Sequence, residues 1–208
     1  MAYAFLETLM TPSVRAAQAA NGVGEMWERA GDERQFDRFT ENEAAFIAQR
    51  DSFYLASVSQ SGWPYVQHRG GPTGFLKVLD ETTLGFADFR GNRQYISLGN
   101  VAADDRVALI LMDYPNRARL KILAHMESRD LSTDPDLAER LSLPGYKGRP
   151  ERALILRLEA FDWNCPQHIT PRFTAAEIQP AVAGLRERLS VLEAENQALR
   201  AELKATRP

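Results

Sequence analysis

Between residues 53 and 161 the chain alternates short apolar runs with clusters of Gly, Pro, Asn, Asp and charged residues. Residues 53–59 (FYLASVS) and 63–69 (WPYVQHR) read as two strands joined at Ser61-Gly62, with apolar and polar positions alternating as on a half-buried strand. Gly70-Gly71-Pro72 breaks the second. Residues 75–79 and 83–89 give two further strands across Asp80-Glu81. The run RVALILMD (106–113) is apolar enough for a buried strand, residues 114–116 turn the chain, and residues 119–127 return it. The last long strand is predicted over 152–161. Helical signals are fewer. Thr40-x-x-Glu43 is a capping box ahead of Ala45, Phe46 and Ile47, predicting a helix that ends near Arg50. Arg90-Gly91-Asn92 is a sharp turn into a short predicted helix over 93–98, and residues 134–143 also read as helical. A parallel sheet needs a crossover, usually a helix, between neighbouring strands. Such helices are missing, so the pattern predicts an antiparallel barrel.

The period changes again near the C-terminus. Val182, Leu185, Leu189, Leu192, Asn196, Leu199 and Leu203 follow 3-4 spacing. Val182, Leu189, Asn196 and Leu203 take heptad position a, and Leu185, Leu192 and Leu199 take d. In a parallel pair Arg188 faces Glu193, Glu195 faces Arg200 and Glu202 faces Arg207, all attractive. A buried Asn at position a specifies register and a two-stranded state. The alternative is a single amphipathic helix lying on its own domain.

Composition narrows the class. The chain has 208 residues, 44% of them hydrophobic, which suits one domain with appendages. Its net charge of −3 supplies no global basic field, so no nucleic-acid partner is expected. No apolar run approaches a membrane span, and no membrane partner is expected. A single cysteine, Cys165, fits a reducing compartment, and MAYAFLETLM carries Glu7 without an early Lys or Arg, unlike a secretory signal. A cytoplasmic location is expected. Cys165-x-x-His168 has only His68 and His125 to extend it and no second cysteine pair, so no metal site is expected. Cys165 itself reads as a buried small hydrophobe.

Candidate chemistry lies between residues 63 and 126. A strand leads into the turn Phe89-Arg90-Gly91-Asn92-Arg93-Gln94 and a helix leaves it. Helix N-terminal N–H groups favour anions, Gly91 allows close backbone approach, and Arg93 is a forked donor for phosphate oxygens. His68-Arg69-Gly70-Gly71 leads to Lys77, a cation within an apolar strand. Arg119 and Lys121 share one strand face, two residues apart. Basic side chains from neighbouring strands could thus meet on one anionic ligand.

The ordered runs HRGGPTGFLKVLD, FADFRGNRQYISLGN, RVALILMDY, RLKILA and WNCPQHITPR resemble the pyridoxamine 5'-phosphate oxidase-related, FMN-binding split-barrel family. The resemblance covers roughly residues 40–175 and is greatest to the bacterial flavin-nucleotide-binding subgroup, not the true oxidase. It implies FMN as cofactor, bound between the subunits of a homodimer, and a small-molecule substrate. The family's Lys-x-x-Asp strand ending falls on Lys77 and Asp80. The strand pair whose backbone meets the flavin falls on Ala87-Asp88. The oxidase's Ser-Arg-Lys corresponds to Asn92-Arg93-Gln94. Two cations of the oxidase are replaced, by Pro72 and Gln94, and Arg69, Arg119 and Lys121 are the residues available to compensate. The loop 164–172 is expected to line the flavin, with Gln167 and Arg172 reaching FMN from the second subunit. His68 is the candidate proton donor or, equally, a structural strand-end histidine. The oxidase's Trp–Arg signature is absent, so the resemblance implies no vitamin B6 substrate.

The fold expected is mainly β (α+β): a six-stranded antiparallel split β-barrel with flanking helices and a C-terminal coiled-coil helix. Residues 1–39 form an arm with short helices, 40–175 the FMN-binding barrel and 176–208 the C-terminal helix. The function expected is an FMN-dependent oxidoreductase. The alternatives are a non-catalytic flavin-binding or redox-sensing protein, and a split barrel that holds haem or a deazaflavin.

Overall fold

The computed structural model describes residues 4–25, 37–163 and 166–205. The expectations for Asn164, Cys165 and Arg207, and for parts of the N-terminal arm, lie outside the described residues. These fall into two compact units, residues 1–113 with 117–168, and residues 114–116 with 169–208.

The first unit begins with helices α1 (Ala4–Leu9), α2 (Pro12–Ala20) and α3 (Glu41–Ala48). Strands β1 (Ser52–Val58), β2 (Pro64–Gly70), β3 (Lys77–Asp80) and β4 (Thr83–Phe89) follow, then α4 (Ile96–Ala103). β5 (Arg106–Asp113), β6 (Ala118–Arg129), α5 (Pro135–Arg140) and β7 (Pro150–Trp163) complete it. All seven strands join one antiparallel sheet in the order β2-β1-β5-β6-β7-β4-β3; each matches a run read from the sequence, and the expected barrel of six strands falls one short of them.

The alternation seen in the sequence sets the two faces. On β6, Leu120, Ile122, Ala124 and Met126 are buried, while Arg119, Lys121, Leu123 and His125 between them are only partly so. The buried face curls round a core in which Phe53 of β1 meets Phe86 of β4 edge-on, with ring centroids 5.4 Å apart. Phe75, just ahead of β3, stacks on Phe53 at 5.6 Å. Three strands separate β1 from β4 in the sheet, so these contacts require it to close on itself as a split barrel. A smaller cluster of Leu137, Leu141, Ala153 and Ile155 packs α5 against the outside of β7.

The capping box forms as read from the sequence. Thr40 accepts from the Asn42 N–H at 3.3 Å, and Glu43 accepts from the Thr40 N–H at 2.9 Å. Glu43 also receives the Trp163 indole N–H at 2.7 Å, which ties α3 to the end of β7. The helix after the Gly91 turn starts at Ile96, not Arg93, and runs on to Ala103. Arg93 and Tyr95 take φ of +62° and +51°, a left-handed backbone that no helical run can include.

The second unit holds α6 (Ala175–Ala205), opened by a second capping box in which Glu177 accepts from the Thr174 N–H at 2.7 Å. None of its described residues is buried. No helix among the described residues is long and apolar enough to cross a membrane.

Candidate functional site

The site begins with the inward face of β2. Period two puts Tyr65, Gln67 and Arg69 on that face and leaves Val66 and His68 outside. Arg69 Nη1 donates to Asp88 Oδ1 of β4 at 2.8 Å, across the seam between the two ends of the curled sheet. Arg152 of β7 approaches Asp88 Oδ2 at 3.5 Å from the other side. Burial pushes the Asp88 carboxyl above its ordinary pKa, against the opposing pull of Arg69 and Arg152. The Nε atoms of Arg69 and Arg152 are buried without a hydrogen-bond partner. The Arg69 Nε can donate to an oxygen brought in by a ligand, whereas the Arg152 Nε is the atom that faces Asp88 at 3.5 Å.

The turn after β4 supplies the opposite wall. Asn92 Oδ1 accepts from the Gln94 N–H at 3.1 Å, folding the turn, and its amide donates to Gln94 Oε1 at 3.2 Å. Tyr95 caps α4 without a side-chain hydrogen bond, so the first helical N–H groups have no side-chain cap. Ser97 donates to Gln67 Oε1 and Asn100 donates to Ser57, both at 3.0 Å, fastening α4 to β2 and β1. Tyr95 in turn donates to Glu151 at 3.0 Å, and the Arg152 guanidinium lies 5.1 Å from the Tyr95 ring centroid.

Between these walls lies a cleft of about 180 Å³, lined by Gln67, Arg69, Asp88, Asn92 and Arg93 and by Gly91, Tyr95 and Glu151. Its donors, two guanidinium groups and an uncapped helix end, suit an anion or a polar heterocycle, and the carboxylates of Asp88 and Glu151 share the lining. Among the residues anticipated from sequence, Arg69, Asp88, Asn92 and Arg93 line it together. Gln94 stands beside it, bonded to Asn92 and exposed.

The other anticipated residues are placed elsewhere. Ala87 is buried on the opposite face of β4 from Asp88. Lys77 opens β3, paired with Gly85 and half-buried. Lys121 forms an ion pair with Asp162 and lies 4.7 Å from the Phe5 ring centroid. Burial and the neighbouring charge of Arg119 lower the Lys121 pKa, and burial raises the Asp162 carboxyl to about 6. Arg119 precedes Lys121 on the same outward face of β6, opposite Met112. His68 is exposed and stacks edge-on against Tyr54, 5.6 Å away. Gln167 is exposed, and Arg172, in the second unit, lies 4.9 Å from the Tyr114 ring centroid.

The sequence reading missed Gln67, Tyr95, Glu151 and Arg152. Gln67 had a usable signal, being two residues from Arg69 on a strand. Glu151 and Arg152 had none, because only the pairing of Asp88 with Arg152 across β4 and β7 brings them here.

A sequence model of one family, described as pyridoxamine 5'-phosphate oxidase, matches residues 39–156. No curated protein matches the chain. Among solved structures, a candidate pyridoxamine 5'-phosphate oxidase of Lactobacillus delbrueckii is 24% identical, with 61% of this chain and 94% of that one covered and a TM-score of 0.46. An FMN-binding protein of Syntrophomonas wolfei is 15% identical over 75% and 97% of the two chains, with a TM-score of 0.42. A Clostridium acetobutylicum protein related to general stress protein 26 is 13% identical over 66% and 94%, with a TM-score of 0.43.

Proposed function

Because the chain belongs to the pyridoxamine 5'-phosphate oxidase family, we propose that it is an FMN-binding flavoprotein and an oxidoreductase acting on a small molecule. The observation that carries this reading is the pairing of Arg93 and the uncapped start of α4 with the buried, partly unsatisfied guanidinium of Arg69 in one cleft. These groups suit a phosphate or an electron-rich ring edge.

In this reading Arg93 and the α4 N-terminus hold the phosphate. Arg69 donates from Nε to the ligand while Asp88 fixes its guanidinium in place. Arg152 helps to hold Asp88 ionised, and Gln67 positions α4 through Ser97. Bound FMN would supply hydride or electron transfer through its isoalloxazine ring, and a cation near the ring's polar edge favours the reduced, anionic form. Lys77, Arg119 and Lys121 lie outside the lining of this cleft and take no role in this reading.

The dimer is part of the proposal. Cofactor sites commonly enclose roughly 300–1,000 Å³, and the cleft of one chain offers about 180 Å³. The outer face of β1 and β2 exposes Tyr54, Val58 and Val66 at 40, 42 and 60%, with Trp63 beside them at 76%. Apolar surface of this kind marks an interaction face. A second copy packed there would cover it, and Gln167 and Arg172 are the candidate contributions from the partner to the flavin site. A cytoplasmic setting belongs to the same reading.

The absorbance spectrum of the purified protein is the test. Bands near about 370 and 450 nm are expected for bound oxidised flavin. A colourless protein that takes up no added FMN would overturn the proposal. With flavin bound, anaerobic bleaching by NADH or NADPH would support an oxidoreductase, and no bleaching by either would favour a flavin-binding role.

A further inference from the structure

We propose that α6 pairs in parallel and in register with α6 of a second copy, forming a two-stranded coiled coil over residues 182–203. This goes beyond the flavin reading and does not depend on it. The helix is continuous from Ala175 to Ala205, and its heptad positions carry the largest apolar side chains of the segment. Leu185, Leu189, Leu199 and Leu203 are 72, 57, 59 and 67% exposed. Pro180 lies ahead of the first heptad position, so nothing interrupts the stripe that follows.

Charge and polarity choose the occupant. In parallel register Arg188 meets Glu193 of the second copy and Glu195 meets its Arg200, on both flanks of the seam. An antiparallel alignment that sets Leu185 against Asn196 also matches charge, Arg186 with Glu193 and Arg188 with Glu195. Charge alone therefore does not fix the direction. Asn196 does. In parallel register the two Asn196 amides lie opposite each other and can hydrogen-bond. In the antiparallel alignment each is buried against leucine without a partner. The stripe is about three heptads long, roughly 33 Å of helix, too short to persist as an isolated peptide pair. It is expected to form in the whole protein.

Disulfide trapping in the full-length chain tests this, in a Cys165→Ser background so that the introduced thiol is unique. Leu199→Cys places thiols opposite each other only in parallel register, while Gln197→Cys, at an outward heptad position, is the control. Under mild oxidation Leu199→Cys is expected to give covalent dimer at least tenfold faster than Gln197→Cys. Equal rates, or no covalent dimer from either, would overturn the proposal. Crosslinking by the double variant Val182→Cys, Leu199→Cys but not by Leu199→Cys alone would show an antiparallel pair and overturn it too. The readout involves no flavin, so a colourless protein would leave it intact.

Discussion

Arg69 donates from Nη1 to Asp88 Oδ1 at 2.8 Å and so joins β2, at one edge of the sheet, to β4, next to the other. Both side chains are largely buried, at 16 and 10% exposure. The pair thus closes the barrel seam and forms the floor of the candidate site. Removing one partner strands a charge away from water, which costs about 3–5 kcal/mol, while replacing both by apolar groups is often nearly neutral. Asp88→Leu strands Arg69 and takes the 3.5 Å partner from Arg152, so it is expected to lower unfolding stability by that amount in urea titrations. The double variant Arg69→Met, Asp88→Leu should recover part of the loss, since Arg152 keeps Glu151 as a partner. Near-additive losses would show that the pair is not a closed unit.

Arg93 bears on binding without bearing on stability. It is exposed, and surface substitutions usually change stability by no more than about 0.5 kcal/mol. A lost hydrogen bond to a charged group is worth about 1.5–3 kcal/mol, or roughly tenfold or more in affinity. Arg93→Ala is expected to weaken FMN binding by at least that factor in fluorescence titration while the urea midpoint stays put. Unchanged affinity would remove Arg93 from the phosphate site.

Gln94 stands where the family resemblance implies a lysine, on an exposed turn beside the cleft. Gln94→Lys adds a cation there and is expected to tighten FMN binding several-fold at low salt, with the gain shrinking as salt is raised. A salt-independent or absent gain would place the phosphate elsewhere.

Glu43 makes the fold sensitive to acid. Burial acts to raise its carboxyl, but hydrogen bonds from Thr40 and from the Trp163 indole outweigh it and hold the pKa below 4.5. The folded state binds this proton less readily than the unfolded chain. The resulting stability is present above pH 4.5 and is lost as pH falls through the lowered value. Glu43→Gln cannot ionise, so the stability difference between wild type and Glu43→Gln should be largest near neutrality and shrink in acid. Urea titrations at several pH values check this, and a constant difference would contradict it.

Much of the architecture was legible in local pattern. Period-two alternation located the strands, and Thr40-x-x-Glu43 located α3, because both depend on neighbours a few residues apart. The α6 stripe was legible for the same reason. Element ends were less so. The left-handed Arg93 and Tyr95 displaced the start of α4, since only the packed turn imposes that backbone.

The cationic residues mark the boundary. Sequence determined that Arg69, Lys77, Arg93, Arg119 and Lys121 sit in or beside strands of one barrel. Tertiary structure decided which of them meet. Arg69 and Arg93 line one cleft because the sheet order returns β4 to β2 across the seam, whereas Lys121 faces outward to Asp162 and Phe5. Convergence of that kind depends on strand order and closure. Both are fixed by contacts such as Phe53 with Phe86, between residues far apart in the chain, and so lie beyond the reach of local pattern.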